Sequence, residues 1–430
     1  MKILIKDALL LTTDQAGEFL VKSGDLAIDG QFIIKVADQG DIPSGWLPEK
    51  IISGENKVVL PGFVNTHTHA AMSMFRSYAD DLPLMKWLKE KIWPLEEKLT
   101  SEDIYWGTKL AVAEMLKSGT TTFADMYFMM DDVAKVVEES GIRACLSRGM
   151  TVFSAKEGLP ESEAFVKKWH NTAEGRITTM LGPHAPYTCT PDFLKEVSEL
   201  ADKLGVGLHI HLAETITEVE DISEKYGLSP IKLMDSINLF DRHVLAAHVV
   251  HVTDEEMDIL SAKNVYIAHN PESNMKLASG IAPIPTMLKK EINVSLGTDG
   301  AASNNNLDML TEMRAMAFIH KVTTLNPEEL PAGLALKIAT INGAKALGLQ
   351  DVGSLMPGMK ADVICIDYHK PHMQPMHNIV ANIVYAAQPS DVTHTIVDGK
   401  LLVENGKLTT IDEEELIANV KKCSERLVKG

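Results

Sequence analysis

Between about residues 58 and 350, short apolar runs alternate eight times with segments whose apolar residues recur at helical spacing. The runs are KVVLPGFVNTH, GTTTFAD, GIRACLSRG, RITTMLGPHAP, VGLHIHLAE, HVLAAHVV, NVYIAHN and NVSLGTD, and TPDFLKEVSELADKLG typifies what separates them. Strands buried on both faces read as continuous apolar runs, and parallel strands need helical crossovers between them. Eight such units predict an α/β chain with a (β/α)8 TIM-type barrel, in which side chains at the C-terminal ends of the strands surround one mouth.

The ends of the chain have a different texture. MKILIKDALLLTT and GDLAIDGQFIIKVAD, then GSLMPGMKADVICID and VTHTIVDGKLLVENGKL, read as strands, with hairpin turns at Asp29-Gly30 and Asp398-Gly399. We expect residues 1–57 and 358–430 to form one flanking β-sandwich around a barrel spanning 58–357, with a charged helix in DEEELIANVKKCSERLVKG.

Composition bounds the partners. Lysine and arginine number 41 against 59 acids, and the net charge of -18 opposes binding to a nucleic-acid backbone or an anionic membrane. No uncharged apolar run approaches the roughly 18 residues of a membrane span. Cys145, Cys189, Cys365 and Cys423 are scattered and form no C-x-x-C pair, which argues against a disulfide framework and fits a reducing compartment. Met1–Asp7 alternates and meets an acid at once, the pattern of a strand rather than a signal peptide. The expectation is a cytoplasmic protein with a small-molecule substrate, no nucleic-acid or membrane partner, and a homo-oligomeric assembly.

Histidines punctuate the strand ends. His67 and His69 close the first run, and period-2 alternation puts both rings on one face. Alone, such a pair could equally cap a loop. A second pair, His209 and His211, ends the fifth run with Glu214 just beyond; His211, nearer the mouth, is the better ligand, and His209 one layer deeper reads as a hydrogen-bonded core residue. His248 ends the sixth run and joins the site, whereas His243 and His251 read as structural or exposed. Asp299 ends the eighth beside glycine, where a carboxylate has no packing purpose. His67, His69, His211 and Asp299 suit Zn²⁺, one ion per subunit, with Fe²⁺ or another divalent ion fitting the same ligand logic. One position left open for water, whose pKa zinc lowers to about 7, would make the site hydrolytic. Asp299 then also serves as general base and Glu214 handles protons.

Together these residues resemble the metal-dependent amidohydrolase superfamily, and VGSLMPGMKADV resembles its flanking β-sandwich. The fourth run ends MLGPHAPYTC, without the lysine that dinuclear members carboxylate, so the resemblance implies one metal. MSMFRSYADDLPLMKWLKEKIWPLE, GPHAPYTC, HIHLAET and LGTDGAASNNNLDML are most similar to the deaminases of 5'-methylthioadenosine and S-adenosylhomocysteine. That resemblance implies that Glu96 binds the ribose hydroxyls, that Arg148, His184 and Glu214 contact the nucleoside, and that Ser303 lies near the purine. It implies catalysis by Glu214, His248 and Asp299 at purine C6, with ammonia released. Lys156, Lys167 and Lys168 are the candidates to meet a homocysteine carboxylate. Relatives acting on 5'-deoxyadenosine, adenosine, guanine or a triazine share the metal set and are the alternative; a dead scaffold would have lost ligands that are all present here.

Overall fold

The computed structural model describes residues 1–14, 17–42 and 45–429. Its centre is an eight-stranded parallel sheet curled into a barrel: Phe63–Thr68, Thr120–Tyr127, Arg143–Met150, Ile177–Pro183, Leu208–Leu212, Val244–His248, Tyr266–His269 and Val294–Leu296, paired in chain order. Each predicted run supplies one of them. In Leu208–Leu212 the leucines and Ile210 join the apolar shell, while His209 and His211 alternate with them.

Side chains stitch the first and eighth barrel strands together. Thr66 Oγ1 donates to the Leu296 carbonyl at 3.0 Å, and Asn65 bonds both the backbone and the hydroxyl of Thr298. The Asp299 amide donates to the His67 carbonyl at 2.9 Å, so closing the barrel brings Asp299 beside the first histidine. The chain between them must be bare: a Cβ on Gly297 would lie 2.6 Å from Asn270 Oδ1 and 2.8 Å from the His67 amide.

A second, mixed sheet of nine strands is built from both termini. The two-residue turn Asp398-Gly399 joins Val392–Val397 to Lys400–Glu404 with φ of 51° and 72°, the left-handed pair that matches strand twist. One expectation needs correction. KVVLPGFVNTH is two strands: Lys57–Pro61 pairs with Lys2–Thr13 and Val363–Asp367 in the terminal sheet, and only Phe63–Thr68 enters the barrel. The chain changes sheets at Gly62, where any Cβ would overlap the Thr121 side chain.

Polar contacts fasten the terminal segments to the barrel. Arg143, opening the third barrel strand, reaches Asp362 at 2.7 Å and Asp398 at 3.3 Å, all three buried. The C-terminal helix Glu413–Lys429 lies on the helix Ser101–Lys117, where Arg426 bonds Asp103. No described helix is long and apolar enough to cross a membrane.

Candidate metal centre and its cavity

Four imidazoles converge at the C-terminal mouth, each with its Nδ1 already engaged. His67 Nδ1 bonds His209 Nε2 at 2.9 Å, and His69 Nδ1 donates to the Met126 carbonyl at 2.6 Å. His211 Nδ1 donates to the His184 carbonyl and His248 Nδ1 meets the Asn274 carbonyl oxygen, both at 2.8 Å. Such partners fix the tautomer and leave the Nε2 lone pairs to a metal.

The Nε2 atoms face one another and Asp299. His69 and His211 Nε2 are 3.2 Å apart, and Asp299 Oδ1 lies 3.5 Å from His67 Nε2 and 3.4 Å from His69 Nε2. Donors held at about 2.05 Å around a tetrahedral Zn²⁺ stand about 3.3 Å from each other. His67 Nε2 is buried and has no hydrogen-bond partner among the described residues, an orphan that a cation would satisfy. Burial first, and then the neighbouring rings, hold His67 and His211 well below the usual imidazole range, so both offer lone pairs rather than charge. The donor set fits a divalent ion such as Zn²⁺.

Asp299 Oδ2 accepts from Ser273 Oγ at 2.7 Å and Ser303 Oγ at 2.9 Å, and the Gly300 amide donates to Oδ1 at 2.7 Å. Burial works against its charge, but His69, His248 and these bonds keep its carboxyl below the ordinary value. Asp299 and His248 both sit in left-handed backbone, φ 62° and 73°, conformations that non-glycine residues hold only where surrounding structure enforces them.

Glu214 lies beyond the fifth strand, its Oε2 4.0 Å from His248 Nε2 and its Oε1 3.4 Å from Ser279 Oγ. Burial pushes its carboxyl toward the protonated form. For His248 burial opposes charging, yet the carboxylates of Glu214 and Asp299 raise its pKa. Next to them opens a cavity of ≈ 270 Å³. Glu96, His184, Glu214, His248, Asp299 and Ser303 all line it, as do Trp87, Leu88, Trp93 and Phe153.

The family-matching sequence profile for amidohydrolases spans residues 58–402. The chain belongs to the amidohydrolase family. It is 54% identical over 428 residues, 99% of each chain, to the 5-methylthioadenosine/S-adenosylhomocysteine deaminase of Pelotomaculum thermopropionicum. An adenosine deaminase from Xanthomonas campestris with bound zinc superposes with a TM-score of 0.96 at 34% identity, covering 100% of this chain and 99% of that one. An atrazine chlorohydrolase from Arthrobacter aurescens complexed with zinc reaches 0.91 at 25% identity, covering 98% and 100%.

In this amidohydrolase the residues expected at the site gather with two qualifications. His69 lies one residue past its strand, so the loop helps strand alternation aim it. Arg148 does not line the cavity; its guanidinium is paired with Glu161 and reaches the Gly149 carbonyl. Lys167 and Lys168 are likewise paired, with Glu163 and Asp131. His243 and His251 are structural, bonding the carbonyls of Ala346 and Ser279.

Sequence reasoning passed over Tyr127. Its hydroxyl donates to Glu96 Oε1 at 2.7 Å inside the cavity. The second barrel strand runs two residues beyond GTTTFAD, and that extension carries Tyr127 to the mouth. Burial raises the Glu96 carboxyl and this bond partly offsets it.

Proposed function

We propose that the chain hydrolytically deaminates an adenosine derivative with a 5'-thioether, 5'-methylthioadenosine or S-adenosylhomocysteine, at purine C6. One observation carries the reading: Glu214, a buried carboxyl biased toward its acid form, shares a cavity with the metal-donor cluster and with a second carboxyl, Glu96, held by Tyr127. The relatives named as deaminases support it.

His67, His69, His211 and Asp299 would hold the ion, which supplies Lewis acidity and lowers the pKa of water from 15.7 to about 7. Glu214 donates its proton to purine N1 and so draws electron density from C6. The oxygen nucleophile forms its bond to C6 while His248 and Asp299 orient it. Asp299 carries one proton from the nucleophile to the exocyclic amine, the C6–N bond breaks, and ammonia departs. The remaining hydroxyl proton re-protonates Glu214 as the 6-oxopurine forms. Glu96 accepts hydrogen bonds from the ribose hydroxyls and fixes C6 against the nucleophile.

Trp87, Leu88, Trp93 and Phe153 give the cavity apolar lining, and no lysine or arginine is among the described lining residues. Such a lining suits a methylthio group better than a charged homocysteine tail. The test is ammonia release from adenosine, 5'-methylthioadenosine, S-adenosylhomocysteine and 5'-deoxyadenosine, with guanine and a chlorotriazine alongside. We expect the highest kcat/KM with 5'-methylthioadenosine. Turnover confined to guanine or the triazine would end the reading.

A further inference from the structure

Glu218 is a buried carboxylate that the chemistry above leaves unused. It sits on the helix Ile216–Tyr226, whose N-cap, Thr215, accepts a bond from the Glu218 amide at 3.2 Å. In a capping box, a glutamate at this third helical position would turn back to the N-cap amide. Glu218 instead reaches further. Its Oε1 accepts from the Ala213 amide at 3.0 Å and its Oε2 from the Glu214 amide at 2.9 Å.

Those two amides belong to the turn that presents Glu214. Ala213 is in left-handed backbone at φ 50°, and its carbonyl accepts from the amides of Val250 and His251 at 3.0 Å each. The Glu214 side chain itself has weaker support, since its bond from Ser279 is long at 3.4 Å. Its aim is therefore set by its backbone more than by side-chain partners. Both carboxylate oxygens of Glu218 are needed to hold that backbone, because each amide demands an acceptor.

We propose that Glu218 is a positioning residue: it clamps the Ala213–Glu214 amides and so aims the Glu214 carboxyl at the base. This rests on Glu214 being the proton donor of the proposed deamination. Glu218→Gln is the discriminating variant, since its amide NH₂ would face a backbone N–H and support one of the two bonds. A displacement of about 1 Å at a reacting group can cost on the order of 100-fold in rate.

The experiment is a double-mutant cycle on the metal-loaded enzyme with 5'-methylthioadenosine, reading kcat, KM and bound metal. We expect Glu218→Gln to lower kcat at least tenfold, with KM changing less than kcat and metal content unchanged. Introduced into a Glu214→Gln background, it should lower kcat no further. Equal losses in both backgrounds, or no loss in either, would overturn the clamp while leaving the deaminase reading intact. Near-native turnover of Glu214→Gln alone would overturn the reading and the clamp together. Should Glu218→Gln not fold, Glu218→Asp, with both acceptor oxygens on a shorter stem, enters the same cycle under the same criteria.

Discussion

At the scale of single residues, the cavity offers a test that separates binding groups from scaffolding. Charge-assisted hydrogen bonds contribute roughly 1.5–3 kcal/mol each. Glu96→Ala should therefore cut kcat/KM for 5'-methylthioadenosine at least tenfold, about 1.4 kcal/mol, and barely affect a 2',3'-dideoxy analogue. Tyr127→Phe, which removes the hydroxyl bonded to Glu96, should show the same selectivity with a smaller loss. Equal losses on both substrates would assign either residue to the fold instead. The metal donors were legible in the sequence because spacing and strand ends place them without knowledge of any partner. Tyr127 and Glu218 were not: Tyr127 acts on Glu96, a partner fixed only when loops from different strands meet, and Glu218 stands where a capping box would turn it to the N-cap, so its reach to the Ala213 and Glu214 amides shows only in the folded turn. His209 lies between these cases, since alternation puts it under His211, but only the structure shows it holding His67 Nδ1.

Individual elements show why the fold was more legible than its seams. Every barrel strand follows an apolar run, and the Asp398-Gly399 turn falls where its left-handed pair is required. The sheet change inside KVVLPGFVNTH is hidden because both halves are buried and the apolar residues run on across it through Phe63-Val64. Pro61-Gly62 was the available signal for a break in that run. The seam between sheets also has an energetic signature that patterning cannot reveal. Arg143 is buried between Asp362 and Asp398 at the junction, with burial and the two carboxylates setting its charge state. Removing one partner strands a buried charge, which costs about 3–5 kcal/mol. Arg143→Ala should lower the urea midpoint accordingly, while an Arg143→Ala/Asp362→Asn double variant should recover part of the loss, since Asp398 keeps Lys360 Nζ at 3.0 Å. An Arg143→Ala variant with an unchanged midpoint would show that its ion pairs do not hold the seam.

For the whole molecule, acid stability and metal occupancy are the linked quantities. Burial pushes His394, in the terminal sheet and away from the donor cluster, down to about 4 from its ordinary 6.5. The unfolded chain takes up this proton near pH 6.5 and the folded chain only near 4. The contribution of His394 is thus complete above 6.5 and is lost as pH falls through that window, by about 1.4 kcal/mol per pH unit. Urea midpoints at pH 7.5 and 5.0 should fall less for His394→Gln than for the unsubstituted chain; identical slopes would refute the assignment.

Metal removal acts on the fold through the opposite kind of group. The barrel brings His67, His69, His211 and Asp299 together from its first, fifth and eighth strands and their following loops, so a bound ion ties non-adjacent parts of one ring. A ligand that binds only the folded state adds about 4 kcal/mol at a thousand times its dissociation constant. Dialysis against a chelator should therefore abolish deamination and lower the melting temperature by several degrees, and about one equivalent of Zn²⁺ per chain should restore both. His67→Ala should melt at one temperature with or without the chelator, since its donor set is already broken. The dependence has a structural reason: His67 Nε2 is buried with no hydrogen-bond partner among the described residues, its ring within 5 Å of those of His69 and His211. A chelated enzyme that kept both its melting temperature and its turnover would show that these imidazoles satisfy one another, and that the convergence at the barrel mouth is packing rather than a metal centre.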